Sequence, residues 1–137
     1  MISIEAMEAM VGVPFEHGAR VAVNRRTDCY GVVVEAYRRR GVAIPDPFAG
    51  VAKDWGKAET FEDAKIMVGD LSKWTKLETA TIGCVVLFSR FGKAPDHVGV
   101  MLDQGRVLHC LEKTGVVIQP MERLPFQVMG FYDYRSA

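Results

Sequence analysis

The chain has 137 residues, of which 49% are hydrophobic and 25% are charged. That composition excludes a disordered chain, and the length predicts one domain over residues 1–137. Seventeen basic and seventeen acidic residues balance each other, so charge gives no argument for a nucleic-acid partner.

The amino-terminal part predicts two helices separated by a loop. Ser3 suits the start of a short helix, and residues 13–27 are expected to form mostly a loop. Apolar residues recur at spacings of three and four over residues 28–40, which predicts a helix that ends at Gly41. Gly31 and three consecutive valines also fit a buried strand, but the apolar stripe and both end signals favour a helix.

The remaining chain predicts mainly strands. Residues 42–59 are expected to form a loop, and residues 60–74 one or two helical turns. After Thr79, apolar and β-branched segments separated by turns predict a four- or five-stranded meander, with a helical turn at 121–124. These segments are 81–90, 97–103, 106–112, 115–120 and 126–134. Helices followed by strands predict an α+β fold with an antiparallel sheet.

Three cysteines, an odd number, do not predict a disulfide framework, so folding in a reducing compartment is the simpler interpretation. Residues 1–20 show no basic segment followed by an apolar run, so we expect no signal peptide. No stretch approaches the length of about 18 apolar residues that a spanning helix needs, which predicts no membrane insertion. We therefore expect synthesis in the cytoplasm, with another component carrying the protein to any site outside the cell that made it.

Cys29 differs from Cys84 and Cys110, which lie inside apolar strand patterns. Three roles are open for it: a buried core residue, a metal ligand or a nucleophile. At the start of a helix it faces unpaired backbone N–H groups and the positive end of the helix dipole, which favour the thiolate. A neighbouring N–H group can also stabilise an oxyanion, so the position favours the nucleophile.

His97 and His109 begin and continue two successive predicted strands, and each alone could be an ordinary strand histidine. With a three-residue loop at 103–105, Leu102 pairs with Arg106 and both histidines lie on one face of the sheet. A two-residue loop would place them on opposite faces. The predicted chemistry therefore depends on the register at this turn.

On the shared-face register, Cys29 is the nucleophile, His97 is the general base that activates it, and His109 orients His97. Zinc bound by these three side chains and Cys110 is the competing arrangement. His109 and Cys110 are adjacent on a strand and point to opposite faces, so four ligands do not converge easily. We expect neither a metal nor another cofactor.

These segments resemble the NlpC-type cell-wall cysteine peptidases. Asp28-Cys29-Tyr30-Gly31 is similar to the segment that holds their nucleophile, and His97-Val98-Gly99 resembles the strand start that holds their base. His109 lies where they have a third polar residue, and residues 12–19 resemble their upstream glycine, proline and aromatic segment. The resemblance covers residues 10–119.

The resemblance implies a circularly permuted papain-like fold, with N-terminal helices packed on a four- to six-stranded antiparallel sheet. It also implies hydrolysis of amide bonds in the peptide stems of peptidoglycan by the triad. By the family pattern, Asp28 is a candidate substrate contact for a stem amine. Phe15 and Tyr30, which stand where the family often has tyrosine and serine, are candidate contacts as well.

The compact form of the chain is most similar to the peptidases of phage tails and gene-transfer agents. That similarity implies peptidoglycan stem peptides and other tail-tip or baseplate hub proteins as partners. The expected location is the virion tail tip, acting in the cell wall or periplasm during genome delivery. Two alternatives stay open: a structural tail protein without turnover, and an amidase or acyltransferase with the same triad.

Overall fold

A computed structural model of the chain describes residues 3–46, 74–92, 95–103 and 105–134. The helical turns predicted at 60–74 lie outside these ranges except for Trp74, which begins a strand. No helix within them is long and apolar enough to cross a membrane. The helices are α1 (Ile4–Glu8), α2 (Val21–Asn24) and α3 (Cys29–Arg39), and the strands are β1 (Trp74–Leu77), β2 (Val85–Ser89), β3 (His97–Asp103), β4 (Arg106–Leu111), β5 (Gly115–Pro120) and β6 (Gln127–Tyr134).

Side-chain caps start the two predicted helices. Ser3 Oγ accepts a hydrogen bond from a backbone N–H of α1 at 3.1 Å, and Asp28 accepts one from the N–H of Gly31 in α3 at 2.8 Å. Gly41 has φ +85° just after the end of α3, a conformation that glycine adopts without strain. Both helices are confirmed. Residues 13–27 are mostly a loop, as predicted, and α2 forms a single helical turn within them.

The six strands form one antiparallel sheet in the order β1-β6-β2-β3-β4-β5. The predicted meander is therefore wrong at one edge, since β6 returns to lie between β1 and β2. Strands also begin before Thr79, at Trp74. β1 is short, lies at the sheet edge and has two polar residues among four, so it lacks the apolar run that marked the other strands.

The hairpin of β3 and β4 decides where the histidines point. Toward the start of β3 the two strands pair in the predicted register, but at the turn Asp103 pairs with Arg106. The predicted pairing of Leu102 with Arg106 is wrong, because the register shifts between Met101 and Asp103, where an irregularity takes up one residue. Gly105 has φ +89°, the left-handed position expected at this turn. The shift leaves the predicted alternation of side chains near the histidines intact.

Both faces of the sheet are buried, which explains why β2 and β3 are apolar almost throughout. α3 packs on one face, called the helix face here, and the segment 121–126 packs on the opposite face, called the far face. Alternate residues of β3 belong to opposite faces. The helix face includes Val85, Leu87, Val98, Val100, Leu102, Leu108 and Cys110, and the far face includes Cys84, Val86, Phe88, Met101 and Val107.

Candidate active site

Cys29 is the first residue of α3 and packs within the core of the helix face, with 7% of its surface exposed. Backbone N–H groups of Val98 and Tyr30 interact with its sulfur and favour the thiolate. Because Val98 directly follows His97 in β3, the thiol lies beside the start of that strand. The predicted nucleophile and the segment that holds the predicted base are thus neighbours.

The start of α3 does not lower the pKa of the Cys29 thiol overall, contrary to the expectation from its position. Burial raises the pKa of the Cys29 thiol well above its ordinary value, and the nearby groups of Asp28 and Cys110 raise it further. The N–H groups of Val98 and Tyr30 act in the opposite direction but are outweighed. The expectation that this position favours the thiolate is therefore wrong for the net effect, and the resting thiol is neutral.

His97 and His109 form a hydrogen-bonded pair on the far face. His97 Nε2 lies 2.8 Å from His109 Nδ1, which confirms the predicted shared face. The rings of Phe88 and Phe126 flank His97 at centroid distances of 5.9 and 5.2 Å. His97 is 8% exposed and His109 is fully buried. The pair therefore lies in a largely dry, aromatic surrounding.

Burial keeps both imidazoles neutral. It lowers the pKa of His97 to about 3, with smaller contributions from the neighbouring His109 and from Arg90. Burial also lowers the pKa of His109, and the hydrogen bond to Gln119 opposes this effect. Neutral histidines can accept a proton, which a general base must do.

Gln119 was missed by the sequence reasoning, although it contacts the pair directly. Its Oε1 lies 2.7 Å from His109 Nε2. Gln119 is half-buried on β5, two residues beyond Val117, which pairs with His109. Residues two apart share a face of the sheet, so the register of β4 and β5 would have identified Gln119 as a diagonal neighbour.

The Cys29 thiol lies beside Val98, the residue that follows His97 in β3, but the thiol and the His97 ring are not hydrogen-bonded to each other. Among the described residues, His97 hydrogen-bonds only His109, through Nε2, which leaves its Nδ1 without a protein partner. Val98 belongs to the helix face, so the His97 ring points to the far face by alternation. Cys29 and His97 therefore approach the start of β3 from its two sides. Hydrogen bonds between catalytic groups are often loose before substrate binds.

The carboxylate of Asp28 is occupied by hydrogen bonds within the protein. Its carboxylate accepts hydrogen bonds from the N–H groups of Gly18 at 2.9 Å and Gly31 at 2.8 Å, and from Arg20 Nη1 at 2.9 Å. Arg20 in turn binds Asp46 through two further nitrogens, each at 2.8 Å. Asp28 is 5% exposed, and its carboxylate caps the start of α3. Contact of Asp28 with substrate stays a prediction.

The other two predicted substrate contacts differ in exposure. Tyr30 is almost fully buried, and its hydroxyl donates a hydrogen bond to the carbonyl oxygen of Pro45. Phe15 is half-buried, forms an edge contact with the ring of His17 and pairs through its backbone with Thr27. That pairing brings Phe15 near the start of α3. Contact of either side chain with substrate also stays a prediction.

The four side chains named for the zinc alternative do not converge in the part of the chain that the structure describes. Cys110 belongs to the helix face, and its thiol points to the carbonyl oxygen of Thr27 at 3.5 Å. His109 lies on the far face against His97. No group of three or more histidine, cysteine, aspartate or glutamate side chains in the described ranges is arranged to hold a metal ion.

Several solved structures share this fold. "NlpC2 from Trichomonas vaginalis" is similar with a TM-score of 0.67 and 17% identity over 96% of this chain and 45% of that chain. The "NlpC/p60 domain of peptidoglycan hydrolase SagA" has a TM-score of 0.59 and 14% identity, with 98% and 100% covered. The "peptidoglycan hydrolase RipB" from Mycobacterium tuberculosis has a TM-score of 0.57 and 19% identity, with 96% and 61% covered. At these identities the likeness shows the fold.

This chain spans less than half the length of the NlpC2 chain and of the similar NlpC1 chain from the same organism. No curated protein matched it. The family model described as "NlpC/P60 family" matches residues 12–129, which include the start of α3, both histidines and Gln119. The match covers most of the chain, and the α+β fold with its six-stranded antiparallel sheet agrees with it. The chain belongs to the NlpC/P60 family.

Proposed function

We propose that this protein is a thiol peptidase that hydrolyses amide bonds in the peptide stems of peptidoglycan. The observation that carries the proposal is the hydrogen-bonded pair of His97 and His109 at the start of β3, beside the helix start that holds Cys29. Membership of the NlpC/P60 family supports the substrate class. Two of the similar solved structures are named peptidoglycan hydrolases, which supports it as well.

In the proposed reaction, Cys29 Sγ attacks the carbonyl carbon of the amide while His97 takes the thiol proton. The backbone N–H groups at the start of α3 stabilise the oxyanion. The C–N bond then breaks as His97 gives the proton to the leaving amine, and a thioester remains on Cys29. Water attacks the thioester, His97 takes its proton and returns it to the thiolate, and the carboxylic acid leaves.

The resting state sets a condition on this reaction. Because burial disfavours both the thiolate of Cys29 and the imidazolium of His97, the two do not form an ion pair before substrate arrives. Proton transfer therefore accompanies attack on the carbonyl instead of preceding it. His109 holds the His97 ring in place during both transfers.

Purified peptidoglycan tests the proposal directly. Wild type and Cys84→Ala are expected to release peptide fragments, whereas Cys29→Ala is expected to release none. Cys84→Ala is the matched control, since it removes the same atom from a buried cysteine of the far face. Fragment masses then identify the bond. Equal release by wild type and Cys29→Ala would contradict the proposal.

One observation favours a second candidate, a structural protein that keeps the fold without turnover. The thiol is buried and neutral, and it is not hydrogen-bonded to His97. On that candidate, no variant of Cys29 would change the fragments released from peptidoglycan. The same assay therefore separates the two functions, and fragment masses also separate peptidase from amidase products.

We further propose that residues 1–137 act as one domain at a phage tail tip, with tail-tip or baseplate hub proteins as partners, and open the cell wall locally. The resemblance of the compact form, with residues 15–19 ahead of the Asp28-Cys29 segment, to tail-borne peptidases supports this placement. Mass spectrometry of purified virions, followed by antibody labelling of tails, tests it. Labelling of the tip is the expected outcome, and virions without the protein would contradict it.

A further inference from the structure

Three side chains form a continuous hydrogen-bonded row across β3, β4 and β5. His97 Nε2 lies 2.8 Å from His109 Nδ1, and His109 Nε2 lies 2.7 Å from Gln119 Oε1. Within the described part of the chain, both nitrogens of His109 are hydrogen-bonded, whereas His97 is hydrogen-bonded through only one. The unused atom, His97 Nδ1, is the nitrogen left for proton transfer.

The chemistry of the last member decides the direction of every bond in the row. An amide oxygen can only accept, so the proton of this bond belongs to His109 Nε2. Neutral imidazole carries one N–H, so His109 Nδ1 then holds a lone pair and accepts from His97 Nε2. His97 therefore has its proton on Nε2, and its Nδ1 is unprotonated.

We propose that Gln119 is a positioning residue that sets the proton positions of both histidines through the row. By accepting from His109 Nε2, it keeps the lone pair of His97 on Nδ1, where the base needs it. The opposite amide orientation would present its NH₂ group to His109 and reverse both bonds. His97 Nδ1 would then carry a proton and could not accept one.

A neutral acceptor suits this site better than a carboxylate does. A carboxylate beside His109 would favour the charged imidazolium and attract a second proton. Gln119 fixes the direction of the bonds without adding charge to the aromatic surrounding of Phe88, Phe126 and the two histidines. A neutral amide at position 119 therefore sets the bond directions, whereas a carboxylate there would also add a charge.

The last step of the inference, proton transfer at His97 Nδ1, rests on the proposed hydrolase function. The following test separates the inference from that function. Nitrogen NMR of the Cys29→Ala protein reads the proton positions of His97 and His109 without any turnover. Both protons are expected on Nε2. A proton on Nδ1 of either neutral histidine would overturn the proposal, whatever the activity of the wild type.

Kinetics of Gln119 variants give the second measurement. An ionised Gln119→Glu side chain can only accept, so it is expected to keep the Nε2 protons while both histidines are neutral, and because its charge also favours the imidazolium, its kcat is expected to lie between those of wild type and Gln119→Leu. Gln119→Leu removes the acceptor and is expected to lower kcat about tenfold at unchanged KM, the factor that one lost hydrogen bond gives. Gln127→Leu, the same change at an exposed glutamine of β6, serves as the control.

Rescue by the acceptor is the decisive comparison. If either neutral histidine of Gln119→Glu carries its proton on Nδ1, acceptance at position 119 does not set the bond directions and the proposal is overturned. If Gln119→Leu does not fold, the Glu variant and the NMR spectra still decide. A wild type without turnover but with both protons on Nε2 would remove the proposed function and leave the row of bonds as inferred.

Discussion

The two sides of the start of β3 hold their functional groups by different means. On the helix face, Cys29 is held by a charged network in which Arg20 binds both Asp28 and Asp46. On the far face, His97 is held by a neutral imidazole and the rings that flank it. A charged network therefore holds the position of Cys29, the proposed nucleophile, and neutral hydrogen bonds and aromatic rings hold His97, the proposed base.

The difference follows from what each side must do. Asp28, held by Arg20, satisfies the N–H group of Gly31 in the first turn of α3, and this network does not need to change its protonation. In the proposed reaction the histidine side accepts and returns a proton, so a fixed charge there would bind the proton too tightly or repel it. Changes on the two sides are therefore expected to differ in kind: the histidine side controls turnover, and the network controls stability.

The largest effect is expected from breaking the histidine side. His97→Gln keeps a polar side chain of similar size but cannot act as a base near neutral pH. The rate of peptidoglycan hydrolysis is expected to fall about 10²- to 10⁴-fold, the usual contribution of a general base. His17→Gln, at an exposed loop position, is the control and should hydrolyse at the wild-type rate. A His97→Gln protein with nearly full activity would remove His97 from the reaction.

Breaking the charged side is expected to act on folding. Asp28→Ala removes the cap of α3 and leaves Arg20, whose side chain is 7% exposed, with one carboxylate instead of two. The free energy of unfolding is expected to fall by about 3 kcal/mol, as for a broken buried ion pair. Urea denaturation measures it. Asp103→Ala, which breaks an ion pair with a 43% exposed Arg106 at the β3–β4 turn, should cost much less. Equal losses would show that the buried network has no special role.

Alkylation with iodoacetamide sharpens the comparison at the thiol itself. Because burial raises the pKa of Cys29, the rate of its alkylation is expected to climb about tenfold per pH unit from neutral pH to about pH 9. Peptide mass mapping separates Cys29 from Cys84 and Cys110. The urea-unfolded protein is the control, and its rate should level off above the ordinary thiol pKa of about 8.5. A plateau already at neutral pH in the folded protein would mean a preformed thiolate.

The two sides also differ in how far the sequence predicted them. Asp28, the apolar stripe and Gly41 are local signals, and together they predicted the helix that starts at Cys29. The shared face of His97 and His109 followed from strand alternation near the histidines, although the pairing at the turn was wrong. Local signals do not report burial, which reverses the expected effect of the helix start on the thiol.

Long-range pairings escaped prediction for a related reason. β1 is a short edge strand of mixed polarity, and β6 pairs with both β1 and β2 far from it in sequence. Gln119 has no pattern of its own and gains meaning only from the register of β4 and β5. Contacts that depend on the pairing of distant strands require the fold before they can be identified.

The pH dependence of stability gives the smallest expected effect. Comparing wild type with His97→Gln separates the contribution of His97 from that of carboxylates elsewhere. The pKa of His97 is lowered to about 3, so the unfolded chain, with an ordinary histidine pKa of about 6.5, binds more protons between these two values. Stability is therefore present above the unfolded pKa and is lost as pH falls toward 3. Urea denaturation at pH 7 and about pH 5 should show a larger loss for wild type than for His97→Gln, by about 1 kcal/mol per pH unit. Because the carboxylates are the same in both proteins, their contributions cancel in the difference. Parallel curves for the two proteins would mean that His97 takes up its proton in the folded state, and the neutral pair would have to be abandoned.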